Sequence, residues 1–336
     1  MSSIRVNRRI VLVARPAGLP SPLNFARDDQ PVDEPTDGQF LVRNLFLSID
    51  PAQRGWVNAS ANYSDPVPIG GVMRSLAVGI VEASRNPRIA VGDHLYGWFG
   101  WQDLCVASEA LVLRKVNPGD GPVSTALGIL GITGITAYLA LIEIGQPKSG
   151  ETVLVSTAAG AVGSIVGQIA RRLGCHVVGL TGSAAKASRC VAEFGYHSAI
   201  DYKAGLGADV MRMHCPRGVD VYFDNTSGEI ADAVWPLLNV RGRIVQCGTA
   251  SVPAWDPPPL GPRRDREILV KRLRHQGFII FDHVARFPEA ATQLAAWLRE
   301  GVLVYREDIE HGLDRAPEAL AALYRGENQG KKIIQV

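Results

Sequence analysis

The 336-residue chain has five cysteines, Cys105, Cys175, Cys190, Cys215 and Cys247, and no two of them form a C-x-x-C pair. Their odd number and scatter argue against a disulfide framework, and without paired spacing no zinc ribbon is expected. Long apolar runs are missing as well. No stretch approaches the roughly 20 apolar residues of a membrane span. The short run at 10–14 is cut by Arg15, which predicts no signal-peptide core. Charge of one sign is scarce: the net charge is +2, so no strong field points to nucleic acid or an anionic membrane as a partner. The one local excess, "GPRRDREILVKRLRH" at 261–275, is expected to be a solvated helix face or a phosphate-proximal loop. A reducing, cytoplasmic setting is the expectation.

What is present is an ordinary globular composition, 46% hydrophobic and 20% charged, in a chain long enough for two domains. Up to about residue 125, short apolar runs such as "QFLVRNLFLSID", "AVGIVEAS" and "ALVLRKV" are broken by Gly, Pro and Asp, the pattern of a small β-rich unit. The pattern changes at "STALGILGITGITAYLALIEIG", which reads as one long helix capped by Ser124 and ended by Gly145. From there, unbroken apolar runs alternate with helical segments: "TVLVST", "VGSIVGQIARRLG", "HVVGLT", "AAKASRCVAEFG", "VDVYFDNT" and "GRIVQCG". Such alternation predicts an α/β fold with a doubly wound parallel sheet. The tail, with "FPEAATQLAAWLREG" and the closing "KKIIQV", is expected to complete the β-rich core. The predicted domains are therefore 1–125 with 300–336, and 126–299.

The stretch "VLVSTAAGAVGSIVGQIARRLGCHVVGLTGS" has the order strand, glycine turn, helix, strand. Gly160 and Gly163 stand at the spacing of the last two glycines of G-x-G-x-x-G, and Ala158 takes the place of the first. Gly160 lets backbone approach a pyrophosphate, and Gly163 lets the helix pack closely on the strand. The phosphates would then meet the N–H groups that open the helix. An NAD-preferring site places Asp or Glu at the end of the second strand. Here that place holds Thr181, Gly182 and Ser183, followed by Lys186 and Arg189. A hydroxyl and a cation suit a 2′-phosphate that a carboxylate would repel, so NADP(H) is expected rather than NAD(H).

The segments "NLFLSIDPAQRG", "GWFGWQDL", "LGITGITAYLAL", "AAGAVGSIVGQIARRLGCHVVG", "DVYFDNTSGE", "GRIVQCG", "HQGFIIFDH" and "RGENQGKKII" resemble, in shared order and spacing, the medium-chain dehydrogenase/reductase superfamily. Within it the chain is most similar to the zinc-independent branch of prostaglandin, alkenal double-bond and curcumin reductases. The resemblance implies a Rossmann domain with a β-rich, GroES-like catalytic domain, a homodimer, and reduction by NADPH of the C=C bond of enones and enals. It implies that Gly160, Ala161, Val162 and Gly163 carry the pyrophosphate, and that Ser183, Lys186 and Tyr202 meet the 2′-phosphate. Asn225 would lie under the ribose or diphosphate. Pro51, Thr136, Cys247, Gly248, Thr249, Phe278, Ile279, Ile280 and Asn328 would border the rest of the cofactor. No metal is expected, because "LSIDPAQRG" lacks the catalytic Cys of zinc alcohol dehydrogenases and "IGGVMRS" stands where their G-H-E would be.

Reducing an enone requires a hydrogen-bond donor at the carbonyl oxygen and a proton for the α-carbon. Tyr63, in "ASANYSDPVPIG", resembles the branch's tyrosine in a loop facing the cleft and is the expected catalytic residue, with Tyr305 as a second candidate. Trp255 stands near a position where prostaglandin reductases have a pocket tyrosine, and with Trp98 it is expected at the substrate. Trp56 and Trp101 are further aromatic candidates. Two other functions remain open: an NADPH quinone oxidoreductase, and a non-catalytic NADPH-binding protein.

Overall fold

The structure, a computed structural model, describes residues 5–59, 62–252, 257 and 259–336. Its strands are, in chain order, β1 (Val6–Leu12), β2 (Phe25–Pro31), β3 (Phe40–Ser48), β4 (Ala77–Ser84), β5 (His94–Gly97), β6 (Leu104–Ala107), β7 (Val112–Val116), β8 (Thr152–Ser156), β9 (His176–Thr181), β10 (Ser198–Asp201), β11 (Val219–Asp224), β12 (Leu238–Gln246), β13 (Arg274–Gly277), β14 (Glu307–His311) and β15 (Lys331–Gln335). The chain forms two compact units, Met1–Gly128 with Glu307–Val336, and Ile129–Arg306. Residues 300–306 thus stay with the second unit, whereas the sequence pattern assigns them to the first. The reason is packing. Leu303 belongs to the second unit's core and Tyr305 packs against it. The Gln168 amide also holds Val304 at both ends, donating to its carbonyl at 2.9 Å and accepting from its N–H at 2.8 Å.

In the first unit the sheet order is β14-β15-β3-β4-β5-β7, with β6 also paired to β3 and β1 paired to β2 apart from it. The tail is stitched in by β15, antiparallel to β3 with Ile333 opposite Ser48. Phe40, Leu47, Phe99, Trp101, Leu320 and Ile334 fill the core from both ends of the chain. Fully burying side chains of this kind contributes roughly 1.5–3 kcal/mol each. Lys331 is also buried, and its ammonium donates to the Ile49 carbonyl at 2.9 Å and to Asp50 at 2.6 Å.

The second unit is a six-stranded parallel sheet in the order β10-β9-β8-β11-β12-β13. Alternate residues of its central strands feed opposite cores. Val153, Val155, Val221 and Phe223 pack on one side, Leu154 and Tyr222 on the other. Burial on both faces explains why these strands read as continuous apolar runs. Chain direction out from the centre reverses between β8 and β11, so the crevice at their carboxyl ends is where a doubly wound sheet takes its ligand.

One helix differs from the sequence reading. The segment 124–145 holds a 3-10 turn Val123–Leu127, a helix Ile132–Ala140 and a widened turn Leu141–Gly145. Ser124 does not cap the helix; its hydroxyl donates to Glu307 at 2.8 Å. Gly128 and Gly131 interrupt the pattern, and Gly131 occupies the cap position.

The helix Ala161–Arg172 lies against the turn that follows β8. A Cβ on Gly163 would collide with the Thr157 carbonyl and stand 2.9 Å from the Ala158 Cα. The buried Tyr196 hydroxyl donates to the Gly163 carbonyl at 2.6 Å, which pins the same turn of helix. Gly163→Ala is therefore expected to destabilise by about 2–3 kcal/mol, lowering Tm by roughly 5–10 °C in a thermal melt. An unchanged Tm would show that helix and turn separate easily.

Candidate functional site

The second unit gathers most of the expected cofactor residues at the carboxyl ends of its strands. After β8 the chain turns through Thr157, at φ 49°, and Ala158 to Gly160, which has extended backbone at φ −79°, ψ 174°. The helix Ala161–Arg172 begins there without a side-chain cap, so its first N–H groups face the crevice with no hydroxyl or carboxylate of their own to satisfy them. An anion at this place supplies the missing acceptors and meets the positive end of the helix dipole. Glycine at 160 keeps the approach open, since a Cβ there would already stand 3.0 Å from the Thr157 carbonyl. The residues present therefore fit a dinucleotide diphosphate.

At the end of β9, Ser183 caps the helix Ala184–Ala192, its hydroxyl accepting from the Lys186 N–H at 3.3 Å. Tyr202 comes from the end of β10 and covers Gly182, where a Cβ would stand 2.9 Å from the phenol oxygen. Ser183, Lys186 and Tyr202 thus belong to one corner of the sheet edge, with the Lys203 side chain also against Gly182. Burial, aided by Asp201, raises the Tyr202 phenol above its usual range, so it stays a hydrogen-bond donor. Arg189 pairs with Glu193 at 3.7 Å.

Asn225, after β11, donates from its side chain to the Ser156 carbonyl at 2.8 Å and from its N–H to the Ser156 hydroxyl at 2.8 Å. It ties the loop to β8. Cys247 and Gly248, after β12, donate to the Asp224 carbonyl at 2.8 and 3.1 Å. A Cβ on Gly248 would lie 2.8 Å from the Asn225 carbonyl, so glycine lets these two loops touch. Thr249 continues that loop, and its carbonyl accepts from the Val252 N–H at 3.1 Å. Phe278 and Ile280 are core side chains, with Phe278 stacked on His283 at 4.7 Å, and Ile279 between them is half-buried. Thr136 is half-buried in the helix Ile132–Ala140.

The first unit carries the remaining candidates. Pro51 opens the short helix Ala52–Trp56, and its carbonyl accepts from the Tyr324 hydroxyl at 2.5 Å. The loop bearing Tyr63 packs on that helix. Val67 N–H donates to the Trp56 carbonyl at 2.8 Å, and Arg74 donates to the Asp65 carbonyl at 3.0 Å and to the Ser64 hydroxyl. Tyr63 itself is 49% exposed. Tyr324, which the sequence reading did not single out, lies close enough for Tyr63 and Asp50 to influence it, with Arg54 5.6 Å from its ring centre. Burial first, then Tyr63 and Asp50, raise the Tyr324 phenol, against Arg54. Trp98 makes an edge contact with Trp56 at 5.6 Å, whereas Trp101 is wholly buried against Phe25. Asn328 donates to the Gly330 carbonyl at 2.9 Å, within its own turn. Trp255 lies outside the described residues.

Thiol chemistry has little scope here. Burial pushes Cys105, Cys190, Cys215 and Cys247 up to about 12, and Cys175 to about 11. Each remains a thiol at neutral pH, a poor nucleophile and a poor metal ligand. Among the described residues, no three His, Cys, Asp or Glu side chains gather where they could hold a metal ion. No helix among them is long and apolar enough to cross a membrane.

Comparison with known proteins places this architecture. Residues 8–116 match the family profile of the N-terminal domain of oxidoreductases, and residues 161–297 match that of zinc-binding dehydrogenases. The chain is 41% identical to the NADPH-dependent curcumin reductase of Escherichia coli, covering 98% of this chain and 97% of that one. It is 37% identical to the NADP(+)-dependent 2-alkenal reductase of Nicotiana tabacum, covering 88% and 87%. The crystal structure of CurA from Vibrio vulnificus in complex with NADPH superposes with a TM-score of 0.93 at 40% identity, covering 98% of this chain and 99% of that one. The chain belongs to the medium-chain dehydrogenase/reductase superfamily, in the branch of the curcumin and alkenal reductases.

Proposed function

We propose that this protein is an NADPH-dependent reductase of the C=C bond of α,β-unsaturated ketones and aldehydes, working without zinc. The observation that carries the reading is the likeness over most of the chain to reductases whose names specify NADP(H) and conjugated substrates. The geometry agrees with it. The uncapped helix start and Gly160 to Gly163 receive the diphosphate. Ser183, Lys186 and Tyr202 hold the 2′-phosphate, whose oxygens accept from hydroxyl and ammonium alike. Asn225, Cys247, Gly248 and Thr249 form the floor between the strand ends. Within the second unit, Thr136 and the 278–280 backbone border the nicotinamide half.

When bound, NADPH supplies the hydride that the substrate's β-carbon takes up. Negative charge then moves to the carbonyl oxygen, where a fixed donor is worth most. Tyr63 supplies that donor and the α-carbon proton. Trp98 and Trp56 offer an apolar wall for the substrate. An NADPH-oxidation screen over enones, enals and quinones of graded length tests the reading. Turnover of quinones alone would make the protein a quinone oxidoreductase. Saturable NADPH binding without oxidation of any acceptor would make it a non-catalytic binder.

The protein also works as a homodimer in this reading. The outer strand β13 is exposed along its whole length in the single chain. The helix before it, Asp265–Lys271, buries none of its residues, with Leu269 76% and Val270 52% exposed. An unpaired sheet edge beside apolar side chains suits a second copy. Light scattering is expected to give twice the chain mass, and Leu269→Glu to shift it toward the monomer. A monomeric parent at micromolar concentration would remove the dimer.

A further inference from the structure

The carboxyl end of β11 buries a charge that the chemistry above does not use. Asp224 is 1% exposed. Its Oδ1 accepts from the N–H groups of Thr226 at 2.8 Å and Ser227 at 2.9 Å. It also accepts from the hydroxyls of Tyr222 and Thr226, both at 3.0 Å, and of Ser156 at 3.3 Å. Every one of these donors is neutral. A carboxylate taken out of water without a cation is costly, and it persists only where several donors converge on it.

The donors have a pattern. Ser156 ends β8, Asp224 ends β11, and these are the two strands on either side of the point where the strand order reverses. Ser156 in turn binds both the N–H and the side-chain amide of Asn225. One carboxylate therefore joins both strand ends to the loop 225–227. Within that loop Ser227 has φ 62° and ψ −163°, a backbone region almost reserved for glycine. It is gripped from both sides. Asp224 holds its N–H, and the Ser251 hydroxyl donates to its carbonyl at 2.9 Å. Strain of this kind persists only where surrounding contacts impose it.

We infer that Asp224 is a positioning residue for the dinucleotide: it holds the loop 225–227 in a form the loop would leave by itself, and so keeps Asn225 and the adjoining Cys247 and Gly248 in line with the Gly160 turn. The inference rests on the NADPH reading. Its consequence is specific. Without the carboxylate, Ser227 relaxes to ordinary backbone, the floor between the strand ends shifts, and cofactor binding weakens before the chemistry does. Glycine at 227 would occupy the same conformation unaided.

The test is steady-state kinetics with NADPH on Asp224→Asn, Ser227→Gly and the double variant, with Tm measured for each. Asp224→Asn is expected to raise the KM for NADPH by at least about tenfold, the loss of hydrogen bonds to a charged group, while kcat changes much less. Adding Ser227→Gly should recover most of that loss. A KM within about twofold of the parent in folded Asp224→Asn, or no recovery in the double variant, overturns the inference; a merely structural role lowers Tm and leaves KM alone. Should Asp224→Asn fail to fold, Ser227→Gly alone decides: relief of imposed strain raises Tm by a few degrees, and a lowered Tm overturns the inference. A parent that shows no saturation with NADPH would instead refute the functional reading.

Discussion

Tyr63→Phe is expected to lower kcat on a good enone about a hundredfold, the usual worth of a positioned general acid, and to leave the KM for NADPH nearly unchanged. Phenylalanine keeps the ring and removes only the oxygen, so packing is preserved and the hydroxyl's contribution is isolated. The physical case has two parts. A phenol keeps its proton at neutral pH and can still donate it to a carbon or oxygen that gains charge in the transition state. The loop that carries it is also held. Gly55 leaves room for Asn62, where any Cβ would run into the amide, while Arg74 and Trp56 fix residues 64–67. A donor on such a loop loses little entropy on meeting substrate. Full kcat in Tyr63→Phe would transfer the role elsewhere. Tyr305 is the weaker successor because it packs against the second unit's core. Tyr324 is the stronger, since it belongs to the same unit as Tyr63 and its hydroxyl reaches the Pro51 carbonyl.

Lys186→Ala is expected to raise the KM for NADPH by about 10- to 100-fold, the worth of a charged hydrogen bond to phosphate. The KM for NADH should hardly move. The ratio of the two is the readout, because a general loss of stability would weaken both cofactors alike. The corner proposed for the 2′-phosphate is built from two neighbouring strand ends. Ser183 follows β9, Lys186 sits one turn into the next helix, and Tyr202 follows β10 across Gly182. No carboxylate stands at the end of β9, whose last residue is the buried Thr181. Equal KM for NADPH in parent and variant would mean that Tyr202, Ser183 and Lys203 bind the phosphate without it.

Much of this site was legible before the structure. The spacing of Gly160 and Gly163 reports a steric demand, and the structure supplies its cause: a Cβ at 163 meets the backbone of the preceding turn. The missing acid after β9 was equally plain. Other parts were not. That Phe278 and Ile280 send their side chains into the core, leaving only their backbone for a cofactor, was not legible in the sequence. Ser124 had the right chemistry and position for a helix cap, but Gly128 and Gly131 broke the helix first, and its hydroxyl went to Glu307 in the tail. Asp224 went unnoticed because an acid closing an apolar strand looks like a turn residue until its donors are placed around it.

The sequence by itself determined the alternation of strands and helices, the position of the glycine turn, the lack of an acid after β9 and the need of the β-rich segment for the tail. These follow from short-range patterns, the two-residue period of strands, the three-residue glycine spacing and the residues directly after a strand. Only the tertiary structure decided that residues 300–306 stay with the second unit, that the Tyr324 hydroxyl meets the Pro51 carbonyl, and that Ser156 and Asp224 share one buried network. Each of those pairs elements far apart in the chain. Sheet order and core packing choose such partners, and no local pattern names them in advance.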